Sequence, residues 1–389
     1  MSRSHRRSRR TCTAPRVACA AAATVALALP LATSGTASGA TTNAELRRGL
    51  ERLVSASGGP PGAIMTLHRN GRTTVLRAGR ANVRRPGAPR AGDHMRIASV
   101  AKAYSGAIAL RLAQEGRLGL DDAIGERLPG LPAAWHAVTV RQLLAHTSGL
   151  PDYTRSEGFA EQAESDPRGH VAPQTIVDWV RSDGLAFPPG TRYAYSNTDN
   201  IVVGLLAEAV TGRPYGRLLD ELVLRPGRLR QTSFPATVTL PSPFIHGYFV
   251  GAGPRPVDVS TILSPSGAWA SGAIVSTPRE LARFIRLDLG RAFFGAAQQR
   301  EQLRFVRGAS SPPGPGANAA GLAIFRYTTR CGVVYGHTGN FPGYTQWAAA
   351  TADGRRSVTT SLNIPAPDGP LLRRLRALQT AAVCALLGR

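Results

Sequence analysis

Ser99-Val100-Ala101-Lys102 sets a hydroxyl and an amine three positions apart, and Lys102 is the only lysine in a chain of 389 residues that otherwise takes its positive charge from arginine. A guanidinium keeps its proton in a protein, whereas a buried ammonium can be driven to release one and then act as a base. A serine hydroxyl is a weak nucleophile until such a base takes its proton. Two further clusters carry groups suited to the same chemistry. Tyr193-Ala194-Tyr195-Ser196-Asn197 offers a phenol and an amide where a helical run opens, and His337-Thr338-Gly339 follows the strand-like run 332–335. A glycine at that point permits a ligand's backbone to come close.

The elements that must position these groups are legible from hydrophobic period and turn residues. Residues 44–57 have helical spacing, with Leu46, Leu50, Leu53 and Val54 on one face. Runs 63–68 and 73–76 flank Asn70-Gly71, the pair that fits a tight two-residue hairpin turn. A helix is expected from Ser99 to about Glu115, which sets Lys102 one turn beyond the serine on nearly the same face and aims backbone N–H groups at an oxyanion formed there. Helical runs follow at 140–144, 173–182, 198–210, 215–224 and 277–289, then a Ser/Pro/Gly loop at 310–316. Strands are expected at 321–327, 332–335, 344–350 and 357–362, with Asp353-Gly354 as a turn, before a last helix over 371–387 that carries too many arginines to span a membrane. Strands near both ends with helices between imply one sheet built from distant segments plus a helical insertion.

Composition narrows the function classes. Residues 1–16 hold six arginines and no acid, run into an apolar stretch at 17–31, and end in small residues up to Ala40. This is the pattern of an export signal cleaved near Ala40, leaving a secreted protein, and the position of Cys19 at the start of the apolar run instead of after it argues against a lipoprotein anchor. The net charge of +23 falls to about +17 without the six signal arginines. The arginines are scattered rather than gathered on one element with aromatics, which argues against nucleic acid and for an anionic cell-wall surface. Cys331 and Cys384 are an even pair in an oxidising compartment and read as a disulfide, whose loop closure would stabilise by about 4 kcal/mol. Asp121-Asp122 resembles a carboxylate pair but stands at a turn, and His146-Thr147-Ser148-Gly149 mimics the third cluster but follows a helix, so it is read as a structural loop. No Gly-x-Ser-x-Gly elbow, zinc-type His-Glu-x-x-His or phosphate-binding glycine loop occurs, and no cofactor or metal is expected.

Ser99-x-x-Lys102, Tyr195-x-Asn197 and His337-Thr338-Gly339, in that order and at those separations, resemble the serine penicillin-recognising enzymes. The tyrosine in the second motif is similar to the class C beta-lactamase group, and the histidine in the third is most similar to secreted D-alanyl-D-alanine carboxypeptidases. The likeness spans nearly all of residues 41–389, through His146–Pro151, Trp269–Gly272 and the Cys331/Cys384 pair. It implies an α/β fold of the beta-lactamase/DD-peptidase type: an antiparallel sheet flanked by helices, a mostly helical subdomain, and the active site between them. Residues 1–40 would be the signal. The sheet-containing part would come from about 41–119 and 275–389, and the helical insertion from about 120–274.

The resemblance also implies roles. Ser99 would be acylated, with Lys102 and Tyr195 sharing the proton work and either one able to serve as the base. Asn197 would bind the substrate amide and hold Lys102, and His337, Thr338 and Gly339 would face the leaving-side carboxylate. The N–H groups of Ser99 and Asn340 would form the oxyanion hole, Trp269 would line the cleft, and Arg326 would be a carboxylate partner. The implied substrates are peptidoglycan stem peptides ending in D-Ala-D-Ala, with beta-lactams as inhibitors. Esterase, beta-lactamase and D-amino-acid amidase or aminopeptidase activities remain open on the same site, as does a catalytically silent wall-binding or penicillin-binding protein. The third motif lacks the lysine of many beta-lactamases and substitutes a group expected to titrate near neutrality.

Overall fold

In the computed structural model, the distant strand segments meet in one seven-stranded sheet. The described residues are 41–251, 255–306 and 313–389, and they belong to one compact unit. The export signal expected at 1–40 and residues 310–312 of the loop expected at 310–316 lie outside them. β1 (Gly62–Arg69) and β2 (Arg72–Gly79) form the expected hairpin, and Asn70 and Gly71 both take positive φ (52° and 72°), as a tight turn of matching twist requires. Two short pairs stand apart from the sheet: β3 (Met95–Arg96) with β6 (Val275–Ser276), and β4 (Tyr248–Phe249) with β5 (Val257–Asp258). The remaining sheet strands are β7 (Ala317–Ala320), β8 (Phe325–Thr329), β9 (Gly332–Phe341), β10 (Tyr344–Ala350) and β11 (Ser357–Leu362). The order β2-β1-β11-β10-β9-β8-β7 is antiparallel throughout, and the first hairpin joins the last strand through pairs such as Met65 with Thr360.

Two apolar layers sandwich the sheet. On one face, Leu46, Leu50 and Leu53 of the helix Asn43–Val54 pack with Leu375, Ala382, Val383 and Leu386 of the helix Gly369–Leu387 against Met65, Leu67 and Trp347. The first of these helices starts cleanly because Thr42 and Glu45 cap it reciprocally, Glu45 N–H donating to Thr42 Oγ1 at 3.2 Å and Thr42 N–H to Glu45 Oε2 at 2.7 Å. The other face carries the helices Ala101–Gln114, Asn197–Thr211 and Pro278–Leu289 in the larger core. The helix Ala101–Gln114 is buried on nearly every side, the pattern of a central core helix, and its small residues let it lie close to its neighbours.

Three boundaries differ from expectation for local reasons. Ser99 lies in a single 3-10 turn, Ala98–Val100, ahead of the α-helix that begins at Ala101. The strand expected at 321–327 begins only at Phe325, as part of β8, because 321–324 form the turn from β7 in which Ala323 takes a positive φ of 56°. β9 continues through Phe341, carrying the whole third motif on the strand, because β10 pairs with it as far as Tyr344 opposite Phe341.

Cys331, in the turn between β8 and β9, is disulfide-bonded to Cys384 in the last helix, at a Cα–Cα distance of 5.0 Å. Replacing both cysteines by serine should lower unfolding stability by about 4 kcal/mol, read as a reduced denaturation midpoint. A second test concerns Asp288, fully buried, whose Oδ2 accepts a hydrogen bond from Gln302 Nε2 at 2.9 Å while its Oδ1 and the Gln302 Oε1 have no partner. Burial pushes this carboxyl up from 3.8 to about 7. The folded state therefore keeps a proton that the unfolded chain has released, and stability falls as pH rises between about 4 and about 7. Asp288→Asn should flatten that part of the stability profile and raise the melting temperature at pH 8 relative to the parent.

Candidate active site

Ser99, the candidate nucleophile, is positioned by a backbone turn. After β3 the chain forms a hydrogen bond from Ile97 N–H to Ile274 O (3.1 Å), and Ala98 then takes a left-handed φ of 50°, a conformation costing about 1 kcal/mol in an L-residue. That turn presents Ser99 at the head of the central helix. Gly339 on β9 lies directly against it: a Cβ there would stand 2.5 Å from Ile97 O, 3.1 Å from Ala98 Cβ and 3.2 Å from Ser99 N. The glycine therefore admits the nucleophile's own backbone rather than a ligand's.

Lys102 is fully buried, and its Nζ has three neighbours: Ser99 Oγ at 3.2 Å, Asn197 Oδ1 at 2.8 Å and the Ser271 carbonyl at 2.9 Å. Burial pulls its pKa down from 10.5 to about 7, opposed by Asp152 and, to a lesser degree, Asp199. The neighbours differ in kind. Asn197 Oδ1 and the Ser271 carbonyl only accept, so a neutral amine spends its two N–H groups on them and turns its lone pair to the Ser99 hydroxyl. Tyr195 lies beside this pair, with Lys102 Nζ 5.0 Å from its ring centroid. Its Oη is buried near the Ser99 side chain without a well-aligned hydrogen bond, and burial holds the phenol well above its usual pKa, so it keeps its proton.

The second motif hangs on the His146 loop. Ala194 N–H donates to His146 O (2.9 Å), Thr198 Oγ1 donates to Pro151 O (2.6 Å), and Tyr153 N–H donates to Thr198 Oγ1 (3.0 Å). The His146 ring lies 4.3 Å from that of Tyr195, and its Nδ1 is 2.7 Å from Asp199 Oδ2. Burial drives this pair toward its neutral forms, His146 down to about 3 and Asp199 well up. The segment 146–149 is thus a structural loop, as its position after a helix suggested: none of its residues lines the cleft, and His146 supports Tyr195 from behind. Asp121 and Asp122 do hold a turn, through Arg141 (2.7 Å) and Gly119 N–H (2.7 Å) respectively.

Three expected site residues are elsewhere or otherwise disposed. His337 is fully buried behind Tyr195, ring centroids 6.4 Å apart, and does not line the cleft. Burial first and then Lys102 lower its pKa to about 3, so it does not titrate near neutrality. Trp269 is core: its φ of 31° turns the indole against Gly204 and to 5.1 Å from the Tyr215 ring, leaving Ser271 to face the site. Arg326 alternates outward on β8 between the buried Phe325 and Tyr327 and stacks over Phe305 at 4.9 Å. A different arginine reaches the cleft. Arg376, on the last helix, donates from Nη1 to Gln379 at 2.8 Å, while its Nε is buried without a partner. Thr338 Oγ1 is likewise buried and without a well-formed bond, close to the Tyr327 phenol. Asn340 turns its amide away to accept Ala366 N–H at 2.7 Å, which pins another part of the rim.

Ser99, Tyr195, Asn197, Thr338, Gly339 and Asn340 share one cleft of about 1150 Å³. Beyond Asn197 its wall is aromatic, with Tyr153, Phe159 and Trp179 at 5.6–6.2 Å from one another. The Beta-lactamase family profile matches residues 47–381. The chain belongs to that family. The match covers Ser99, Lys102 and all three motifs, so the protein is one of the serine penicillin-recognising, beta-lactamase-like serine hydrolases.

Similar proteins within that family are varied. Protein flp of Staphylococcus aureus (strain MW2) is 30% identical over 182 residues, 46% of this chain. A penicillin-binding protein of Bacillus subtilis (strain 168) is 25% identical over 67% of this chain. The chain spans about a third (35%) of the first relative's length and 59% of the second's. Among solved structures, a D-stereospecific amidohydrolase from Streptomyces sp. is 31% identical, with a TM-score of 0.75 over 83% of this chain and 95% of that one. A D-amino acid amidase from Ochrobactrum anthropi SV3 is 25% identical, with a TM-score of 0.77 over 87% of this chain and 97% of that one.

The close approach at Gly339 gives a direct test. Gly339→Ala should push β9 away from Ser99 and slow acylation of the serine by about 100-fold, measured with a reactive ester, while the far-ultraviolet circular dichroism is retained.

Proposed function

We propose that the protein is an exported serine D-alanyl-D-alanine carboxypeptidase that acts on cell-wall stem peptides through a Ser99 acyl-enzyme. The observation that carries this reading is the buried Lys102 amine, 3.2 Å from Ser99 Oγ and with a pKa near 7. Neutral Lys102 takes the Ser99 proton as Oγ bonds to the carbonyl carbon of the penultimate residue. The resulting oxyanion is held by the N–H groups of Ser99 and Asn340. Tyr195, which keeps its proton, delivers it to the leaving amine as the C–N bond breaks, and the Lys102 ammonium restores the phenol. Water then hydrolyses the ester. Lys102 rather than Tyr195 is the base, because burial favours the neutral form of each, and a neutral amine is a good proton acceptor whereas a neutral phenol is a very weak one.

The departing residue's carboxylate meets Thr338 Oγ1 and Arg376, two cleft residues near the Tyr327 phenol that keep unused hydrogen-bonding capacity. His337 supports the site from behind as a neutral ring. The run of six arginines and an apolar stretch at residues 1–31 supports export. A second reading, hydrolysis of D-amino acid amides, is favoured by the aromatic wall at Tyr153, Phe159 and Trp179, which suits a bulky apolar side chain on the acyl side.

The test is release of D-alanine from a diacylated lysyl-D-alanyl-D-alanine peptide, run beside D-phenylalanine amide and beside fluorescent penicillin followed by mass spectrometry. The carboxypeptidase reading expects D-alanine release, no cleavage of the L-alanyl isomer, and a long-lived penicillin adduct on Ser99. Preferential turnover of the amide would replace it with the second reading, and rapid penicillin turnover would make the protein a beta-lactamase. Absence of any reaction would leave a binding protein. Acylation should rise with pH through about 7 as Lys102 loses its proton, and Lys102→Arg, which retains charge without a usable base, should lower the rate by at least about 1000-fold.

A further inference from the structure

Asp152 sits on the cleft wall, outside all three motifs, and the acylation chemistry makes no use of it. Its two carboxylate oxygens each accept from Asn197 Nδ2 at 3.1 Å, and Oδ1 also accepts Asn197 N–H at 3.2 Å. Oδ1 further accepts from Thr154, N–H at 3.2 Å and Oγ1 at 3.0 Å, so the carboxylate is anchored on its own loop. No ion pair with an arginine is made by Asp152 among the described residues.

The consequence lies in the amide of Asn197. An amide side chain can turn end for end, exchanging an acceptor for a donor. With an acceptor-only carboxylate on the Nδ2 end, the amide has one allowed orientation, and Oδ1 must face Lys102 Nζ at 2.8 Å. Were it reversed, an NH2 group would face Lys102 and claim the lone pair that should address Ser99. The same carboxylate is also the more effective of the two acids that oppose the fall in the Lys102 pKa; the other, Asp199, is pushed toward its neutral form by burial. The other titratable groups around the amine are Tyr195, His146 and His337, and burial holds all three in their neutral forms.

We propose that Asp152 is a positioning residue of the acylation site: it fixes the orientation of the Asn197 amide, thereby aims the Lys102 lone pair at Ser99, and supplies the nearby negative charge that offsets the burial of the ammonium. The proposal rests on Ser99 being the acylated residue, but its principal test requires no substrate.

Because Lys102 is the only lysine, the full chain labelled with carbon-13 at lysine Cε gives a single side-chain resonance whose pH titration reports that amine alone. The parent should titrate near pH 7. Asp152→Asn, which removes the charge with little change of shape, should move the midpoint down by about half to one pH unit. Asp152→Ala, which also removes the acceptor, should in addition lower the pH-independent acylation rate of Ser99 by about tenfold, beyond any loss in Asp152→Asn, with substrate KM little changed. An unmoved midpoint in both variants overturns the electrostatic role. An Asp152→Ala protein that acylates at the parent rate overturns the positioning role. A rate loss that merely follows a falling melting temperature, with an unmoved midpoint, makes Asp152 a structural residue and overturns both. A failure of the carboxypeptidase reading would change the substrate turned over but leave the resonance midpoints as stated.

Discussion

The desolvated amine of Lys102 is the constraint around which the rest of the site is arranged. An ammonium taken out of water with no compensation is unstable, and the protein answers with partial compensation: two strict acceptors, the Asp152 carboxylate at greater remove, and no directly paired anion. A full ion pair would hold the proton on nitrogen. Complete burial without acceptors would leave the amine with no defined direction. The arrangement found lets the proton leave near neutrality and leaves the lone pair pointed at a hydroxyl.

The fold supplies each part of that balance from a different place. The central helix carries Lys102 and is buried on nearly every side, which is what removes water. The helix Asn197–Thr211 brings Asn197 and Asp199 together at its first turn, and the turn after Trp269 offers the Ser271 carbonyl. β9 closes the site from the sheet side, close enough that only glycine fits at position 339. Neutral imidazoles at His146 and His337 on either side of Tyr195 fill space without adding charge that would compete with the lysine. Shape and electrostatics are therefore one problem here, solved by packing.

Much of this was legible in the chain. The hairpin at Asn70-Gly71, the strands 344–350 and 357–362 and the helix around Lys102 follow from local period and turn chemistry, because those signals lie within a few residues of where they act. The residues brought together at Ser99, Lys102, Tyr195 and Asn197 also followed, since their types have few chemical alternatives. What was missed is non-local. Trp269 and Arg326 were assigned by motif neighbourhood, yet a backbone φ sends one into the core and strand alternation sends the other to the surface. Arg376 carried no signal, being one arginine among many on a helix whose position relative to the cleft is set only by the sheet.

The sequence by itself determined the reacting groups and their order along the chain, because a lone lysine three residues from a serine, a phenol with an amide, and a glycine on a strand are chemical identities that folding cannot change. Tertiary structure alone decided their states. Whether Lys102 is a base, whether His337 carries charge, which way the Asn197 amide turns and which arginine faces a substrate depend on burial and on neighbours up to hundreds of residues away in the chain. Electrostatic free energies are fixed by distance and dielectric in space, and neither quantity is written along a sequence.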